Sequence, residues 1–570
     1  MKNNFPYIKS LVSKMNLDQK VGALLTLGFA GTVPRAHIYE NILKYQCGGL
    51  RLTPHARLFG SYIDPKTGKN ILDVTDTKGY KKDINPPYTT AGEYRAVLME
   101  LQKLAMDRPL GIPLHFSFDQ EGGTSADFNF GGVKIFPKPM GIRATGDPVM
   151  AYEVARAVSR QGRAVGFNWI HSPVLDVNTD SGNPEIYTRA YSDNAEVAAQ
   201  YALESCRGFK DGKMIATGKH FPGRGDSAVD AHYEVPVIGV PKDTMLKREL
   251  LPYKILIKHG LLPSIMIAHS IFPAFDDGDI ATVSKKILTG LLRDELGFDG
   301  VIMTDSMTMG GVAIRYGVAN ACALSVEAGA DLVLMKAESK LVGETVEAIK
   351  ALVISGRLSM NELDRKVERV LGTKYEYGLF TAGSLWHETP EEAVNAPEIA
   401  ALSKTIARRS MLILNDGQNA LPLSNDGRIL IIEQINKTPN DIHWHPGVFY
   451  KHCMKYNRQA EYLETEYTYS ETDKETIQAN AGAYETVVIT NFYIRGKLSN
   501  NAFITNLIRG NPKTEFIVVT NTPYRLSIPE ESRTTILTLS TGPDSMEAAA
   551  GVLFGAVTAE GECPVSNGAR

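Results

Sequence analysis

The sequence predicts an α/β protein: an N-terminal (β/α)8 barrel of the TIM type over residues 1–380, a linker at 381–396 and a C-terminal α/β sandwich over 397–570. Three observations predict it. A chain of 570 residues is too long for one small domain, whereas a single α/β barrel takes about 250 residues or more. Eight short β-rich apolar runs recur, each followed by a stretch of helical periodicity, which implies parallel strands joined by helices. The chemically distinctive side chains fall at the C-terminal ends of those runs, where the loops of a barrel converge. A doubly wound sheet is the rival arrangement, and the third observation favours the barrel.

The eight runs are 21–29, 48–52, 113–118, 168–174, 214–218, 264–268, 301–304 and 331–335. Asp119, His171, Lys219, His220, His269 and Asp305 all follow or end one of them. Helical stretches at 360–377 and 397–413 flank the polar, proline-containing segment taken as the linker. Beyond it, 429–432, 486–490, 515–519 and 535–539 read as four buried strands of the second α/β layer structure. The segment 53–90 is rich in Gly, Asp, Lys and Pro and is longer than an ordinary βα connection. It reads either as a wall or lid over the site or as a plain surface loop.

Composition narrows the function classes. Lys plus Arg number 61 against 64 Asp plus Glu, giving a net charge of −3, so no field gathers nucleic acid or an anionic membrane. The five cysteines are far apart, without a CxxC pair, which points to a reducing compartment and against a disulfide framework. No N-terminal apolar leader and no run of spanning length is visible, so the expected location is cytoplasmic, with no membrane partner. His443, Trp444, His445 and His452 lack acidic or thiol partners at ligand spacing, and Asp276, Asp277 and Asp279 lack the closing Glu of a calcium loop. Neither a metal nor a nucleotide-type cofactor is expected; the cofactor expectation is none.

Four segments carry chemistry. The densest is 219–232, KHFPGRGDSAVDAH. Gly223 and Gly225 permit positive φ, so the chain can fold back over a pocket. Asp230 can accept from one nitrogen of His232, leaving the other to exchange a proton with a substrate, a general acid/base pair. At this spacing a structural capping pair fits as well. The second is 300–307, an apolar strand ending in Asp305, which presents a carboxylate rigidly at a pocket floor or caps the next helix. The third is Asp119-Gln120-Glu121 before a glycine turn, and the fourth is 183–189, whose Arg189 offers a planar donor fork. Binding of hydroxyls and simple turn or ion-pair roles both fit these two.

Taken in order, DQEGG, NP with a following Arg, KHFPGxGxxxxDxH and a strand ending TDSM resemble glycoside hydrolase family 3 in its β-N-acetylglucosaminidase branch. The likeness extends to 408–416, 421–423 and 561–565 in the second half. The resemblance implies Asp305 as nucleophile, His232 as acid/base and Asp230 as the group polarising it. It also implies that Asp119, Arg189, Lys219 and His220 hold the glycone hydroxyls. The expected partner is a carbohydrate substrate, with the protein a monomer or homodimer. The expected reaction is retaining exo-hydrolysis of terminal β-linked N-acetylglucosamine. Other glycone specificities, a phosphorylase and an inactive carbohydrate-binding homologue are the alternatives. Two departures stand out: the branch commonly has His where Arg224 stands and Ser or Thr where Ala231 stands.

Overall fold

The computed structural model describes residues 5–54, 62–63, 70–71, 89–231, 234–336, 339–381, 388–417, 419–435, 447–495, 499–525 and 527–566. Eight parallel strands close into a barrel in chain order: β1 (Leu25–Ala30), β2 (Gly49–Thr53), β3 (His115–Phe118), β4 (Trp169–Ile170), β5 (Ile215–Phe221), β6 (Ser264–Ile267), β7 (Val301–Ser306) and β8 (Leu332–Met335). Closure is explicit in the register, since β1 sets Thr26 against Gly49 of β2 and Leu25 against Val333 of β8.

Each expected run holds one of these strands, with two instructive shifts. The run 21–29 is split, because the Asn16 side chain and Gln19 form a reciprocal cap that makes Leu17–Ala23 a helix and delays β1 to Leu25. The run 168–174 shrinks to the two residues of β4, since Pro173 has no N–H for a strand ladder. Inside the barrel, Trp169, Ile215, Met266, Val301, Met303, Leu332 and Leu334 pack with Val370, Tyr377 and Leu379. Each large apolar side chain buried there contributes about 1.5–3 kcal/mol. Helix Met360–Glu376 closes the N-terminal end, where Lys374 Nζ donates to the Pro113 carbonyl at 3.0 Å and to that of Gly48 at 2.5 Å. The opposite end is left for the loops.

The second half forms a six-stranded sheet from β9 (Leu412–Asp416), β10 (Ile429–Ile435), β11 (Glu461–Glu466), β12 (Thr486–Thr490), β13 (Glu515–Thr520) and β14 (Thr534–Leu537), in the order β9-β14-β13-β12-β10-β11. All neighbours are parallel except β9 against β14. Two of these strands depart from the sequence expectation. The helix expected over 397–413 stops at Arg409, after which Leu412 begins edge strand β9. Strand β11 carries Glu461, Glu464 and Glu466 among its six residues, too polar to be read as a buried run.

Between barrel and sheet, Met140, Ala144 and Tyr187 pack with Tyr524, Leu537, Leu539 and Val565. Within the segment read as linker, Pro390–Val394 is a helix capped by Thr389. Most of 53–90 lies outside the described residues, apart from a backbone pairing of Tyr62–Ile63 with Asn70–Ile71. Among the described residues no helix is long and apolar enough to cross a membrane.

Candidate active site

The C-terminal rim of the barrel gathers carboxylates, each met by a cation. Arg51 on β2, flanked in sequence by Leu50 and Leu52, is 2% exposed and bridges Asp119 and Asp127. Lys219 on β5 reaches Asp119 Oδ1 at 2.7 Å and Glu121 Oε1 at 2.5 Å. Arg189 lays its fork on Glu121, with Nε at 2.7 Å and Nη2 at 2.9 Å, the bidentate geometry that makes such pairs strong. Burial alone would raise the carboxyls of Asp119 and Glu121. Lys219 and Arg51 hold Asp119 well below the ordinary range, and Arg189 with Lys219 brings Glu121 down to about 2. Both are therefore anionic at neutral pH. Asp119 keeps the most exposure of this group, with 31% of its side chain accessible.

The loop after β5 is anchored beneath. His220 Nδ1 shares a 2.7 Å hydrogen bond with Asp176 Oδ2, and the Arg224 N–H donates to Asp176 Oδ1 at 2.8 Å. Burial pushes the Asp176 carboxyl up to about 6, against the opposing pull of Arg224. Gly223 has φ +123, as its place in a reversing loop requires. Gly225 does not adopt a positive φ, contrary to the sequence expectation. Glycine is needed there because a Cβ would sit 1.7 Å from the Val177 carbonyl oxygen. Arg224 is buried and donates to Glu185 Oε1 at 2.9 Å, while its Nε and Nη1 have no hydrogen-bond partner among the described residues. Further along, Asp230 is held by Arg495, which comes from just beyond β12; Nε donates at 2.6 Å, and Nη2 also donates. His232 lies outside the described residues.

Asp305 projects from the end of β7, its Oδ1 accepting the Ser306 N–H at 2.7 Å and its Oδ2 standing 3.9 Å from Arg224 Nη2. His269 braces this strand end, with Nε2 3.1 Å from the Ser306 carbonyl and Nδ1 2.7 Å from the Thr282 hydroxyl. Lys336 follows β8. Burial first and then Arg51 lower its pKa, against Asp127, Asp119 and Asp305. His171, buried beside Asp119 at 3.7 Å, is lowered to about 3 by burial.

The structure thus brings Asp119, Arg189, Lys219, His220, Asp230 and Asp305 to one end of the barrel. Sequence reasoning missed Arg51, Asp127, Lys336 and Arg495, and gave Asp176 and Glu185 no role. The strand-end rule could have found Lys336; Arg51 reads as an outward strand residue, and nothing local marks Arg495. Among the described residues no cluster of three or more His, Cys, Asp or Glu is arranged to hold a metal ion.

Fold, motif order and rim geometry meet in one class, the barrel-based glycosyl hydrolases. Residues 16–373 match the Glycosyl hydrolase family 3 N terminal domain, and the chain belongs to glycosyl hydrolase family 3. A protein named Beta-hexosaminidase A from Pseudoalteromonas piscicida is 31% identical over 295 residues, covering 48% of this chain and 49% of that one. A Beta-N-acetylglucosaminidase/beta-glucosidase from Cellulomonas fimi is 27% identical over 359 residues, covering 61% and 62%. The chain therefore spans about half of the first relative and less than two thirds of the second. The structure of a glycoside hydrolase family 3 beta-N-acetylglucosaminidase from Paenibacillus sp. str. FPU-7 superposes with a TM-score of 0.83 at 27% identity, covering 97% of this chain and 99% of that one.

Proposed function

We propose that this protein is a retaining exo-β-N-acetylglucosaminidase. On this reading residues 1–380 carry the chemistry, and terminal β-linked N-acetylglucosamine is removed from peptidoglycan fragments or chitooligosaccharides. The observation that carries the proposal is the placement of Asp305. It stands at the end of β7 with Oδ1 held by the Ser306 N–H at 2.7 Å, on the same rim as Asp119, Lys219 and Arg189. A carboxylate presented rigidly at a strand end is placed to attack one fixed point of a bound substrate.

In the first step an Asp305 oxygen bonds to the anomeric carbon as the glycosidic C–O bond breaks, and His232 gives its proton to the departing oxygen. Water then adds to the anomeric carbon, its proton passes to His232, and Asp305 leaves with the configuration retained overall. The usual retaining design uses two carboxylates; a His with a pKa near the working pH serves the second role. Asp230 polarises His232, and Asp119, with Lys219, Arg189 and His220 fixed behind it, faces the glycone hydroxyls. The names of the relatives from Pseudoalteromonas and Paenibacillus support the N-acetylglucosamine glycone. The double name of the Cellulomonas relative favours β-glucoside as the second reading.

A panel of p-nitrophenyl β-glycosides, with and without phosphate and with Asp305→Ala as control, tests the proposal. Fastest release from the N-acetylglucosaminide, free sugar as product with phosphate present, and loss of turnover in the variant are expected. Faster cleavage of the glucoside, or sugar 1-phosphate as product, overturns the substrate or acceptor assignment.

A further inference from the structure

Arg495 belongs to the second half of the chain, 265 residues from Asp230, yet its guanidinium grips that carboxylate through both Nε and Nη2. The same Nη2 stands 3.4 Å from Glu185 Oε1. Glu185 in turn accepts from Arg224 at 2.9 Å, and Arg224 stands 3.9 Å from Asp305. Charges therefore alternate without a break from Asp230 through Arg495, Glu185 and Arg224 to Asp305. Glu185 and Arg224 are each 1% exposed on their side chains, Asp230 is 9% exposed, and Arg495, at 31%, is the member that reaches towards solvent. Removing a cation from such a row leaves the buried carboxylates beside it less compensated. A planar fork on a carboxylate fixes the plane of that carboxylate as well as its position.

The segment bearing Arg495 is also docked by contacts independent of the ion pair. The Tyr493 ring meets Tyr187 edge-on with centroids 5.0 Å apart, and its hydroxyl donates to the Pro184 carbonyl at 3.4 Å.

We propose that Arg495 is a positioning residue of the active site: through it the second half of the chain fixes Asp230 and, by way of Glu185 and Arg224, sets where Asp230 stands relative to Asp305. The barrel site is then complete only with the second sheet docked. This inference rests on the roles given to Asp230 and Asp305 above.

The test uses the full chain with Arg495→Met, Arg495→Lys, Asp230→Asn and the Arg495→Met/Asp230→Asn double variant. On the p-nitrophenyl N-acetylglucosaminide, Arg495→Met lowers kcat about 30-fold with little change in KM, as misplacement of a reacting group does. Arg495→Lys, a point charge without the fork, recovers only part of the loss, with its Tm equal to that of wild type. The double variant is no slower than Asp230→Asn alone, since one residue acts through the other. A kcat for Arg495→Met within about twofold of wild type, or losses that multiply in the double variant, overturns the proposal. Hydrogen exchange of the peptide 226–236 separates this proposal from the functional reading, because it needs no substrate. Exchange about fivefold faster in Arg495→Met supports the positional role even if no β-glycoside is cleaved, and unchanged exchange overturns it.

Discussion

Arg224 Nη2 stands 2.9 Å from Glu185 Oε1 and 3.9 Å from Asp305 Oδ2, so one buried guanidinium serves two carboxylates, one in the loop after β4 and one at the end of β7. An arginine is charged at any working pH, whereas a histidine at this position, which the family resemblance leads one to expect, would titrate near neutrality. The substitution therefore places a permanent cation beside Asp305.

Arg224→Met should destabilise the fold by about 1–3 kcal/mol, because buried Glu185 loses its nearest cation while Arg495 and Arg189 remain at 3.4 and 3.6 Å. Arg224→His should lose less and should narrow the pH range of activity from the alkaline side, as the imidazole becomes neutral. Urea denaturation and pH–rate profiles of both variants check this. A histidine variant with the profile of wild type would show that Arg224 does not control the charge state of Asp305.

Lys336 is a different case, because burial lowers its pKa and no hydrogen bond or ion pair reaches its ammonium among the described residues. A cation partly withdrawn from water, with Asp127, Asp119 and Asp305 acting on it only from a distance, costs stability and is retained for what it meets. Lys336→Met should raise Tm by about 2–4 °C while lowering kcat/KM by about tenfold or more. Thermal melts and initial rates on one preparation measure both. A lower Tm with unchanged rates would assign Lys336 to the fold alone.

In the second sheet, burial raises the Glu433 carboxyl from 4.5 to about 7, although it accepts the backbone N–H groups of Phe449 and Tyr450. The folded chain keeps a proton that the unfolded chain has released. This contribution to stability is full below pH 4.5 and is lost as the pH rises through about 7. Its size is roughly 2–3 kcal/mol. Between pH 5 and 8, Glu433→Gln should flatten the fall of unfolding free energy by that amount. Equal slopes for variant and wild type would place the titration elsewhere.

Gly225 lies against the Val177 carbonyl, where a Cβ would come within 1.7 Å. Gly225→Ala must move the loop that carries Asp230. We expect kcat about 100-fold down with global stability changed by no more than about 2 kcal/mol. Retained activity would mean that this close approach does not position the loop.

The strands and the strand-end residues were legible in the sequence because a parallel barrel writes each strand as an apolar run and ends it in the polar residue that faces the opening. Lys219 and Asp305 stand out for that reason. The partners were not legible, since each is brought by topology rather than by neighbourhood. Arg51 sits mid-strand between two leucines and looks like an outward residue until Asp119 and Asp127 close on it. Arg495 meets Asp230 only because the second sheet docks on the barrel. Strand β11 escaped notice because three Glu in six residues suit an edge strand that reads as a polar loop.

The anomeric form of the sugar first released tests the central claim most directly. Proton NMR of the anomeric region during cleavage of a β-N-acetylglucosaminide follows it within minutes of mixing. Double displacement at Asp305 predicts β-N-acetylglucosamine first, with the α form appearing later by mutarotation, and no sugar of either form from Asp305→Ala. Initial release of the α form, or turnover by Asp305→Ala at the rate of wild type, would contradict it.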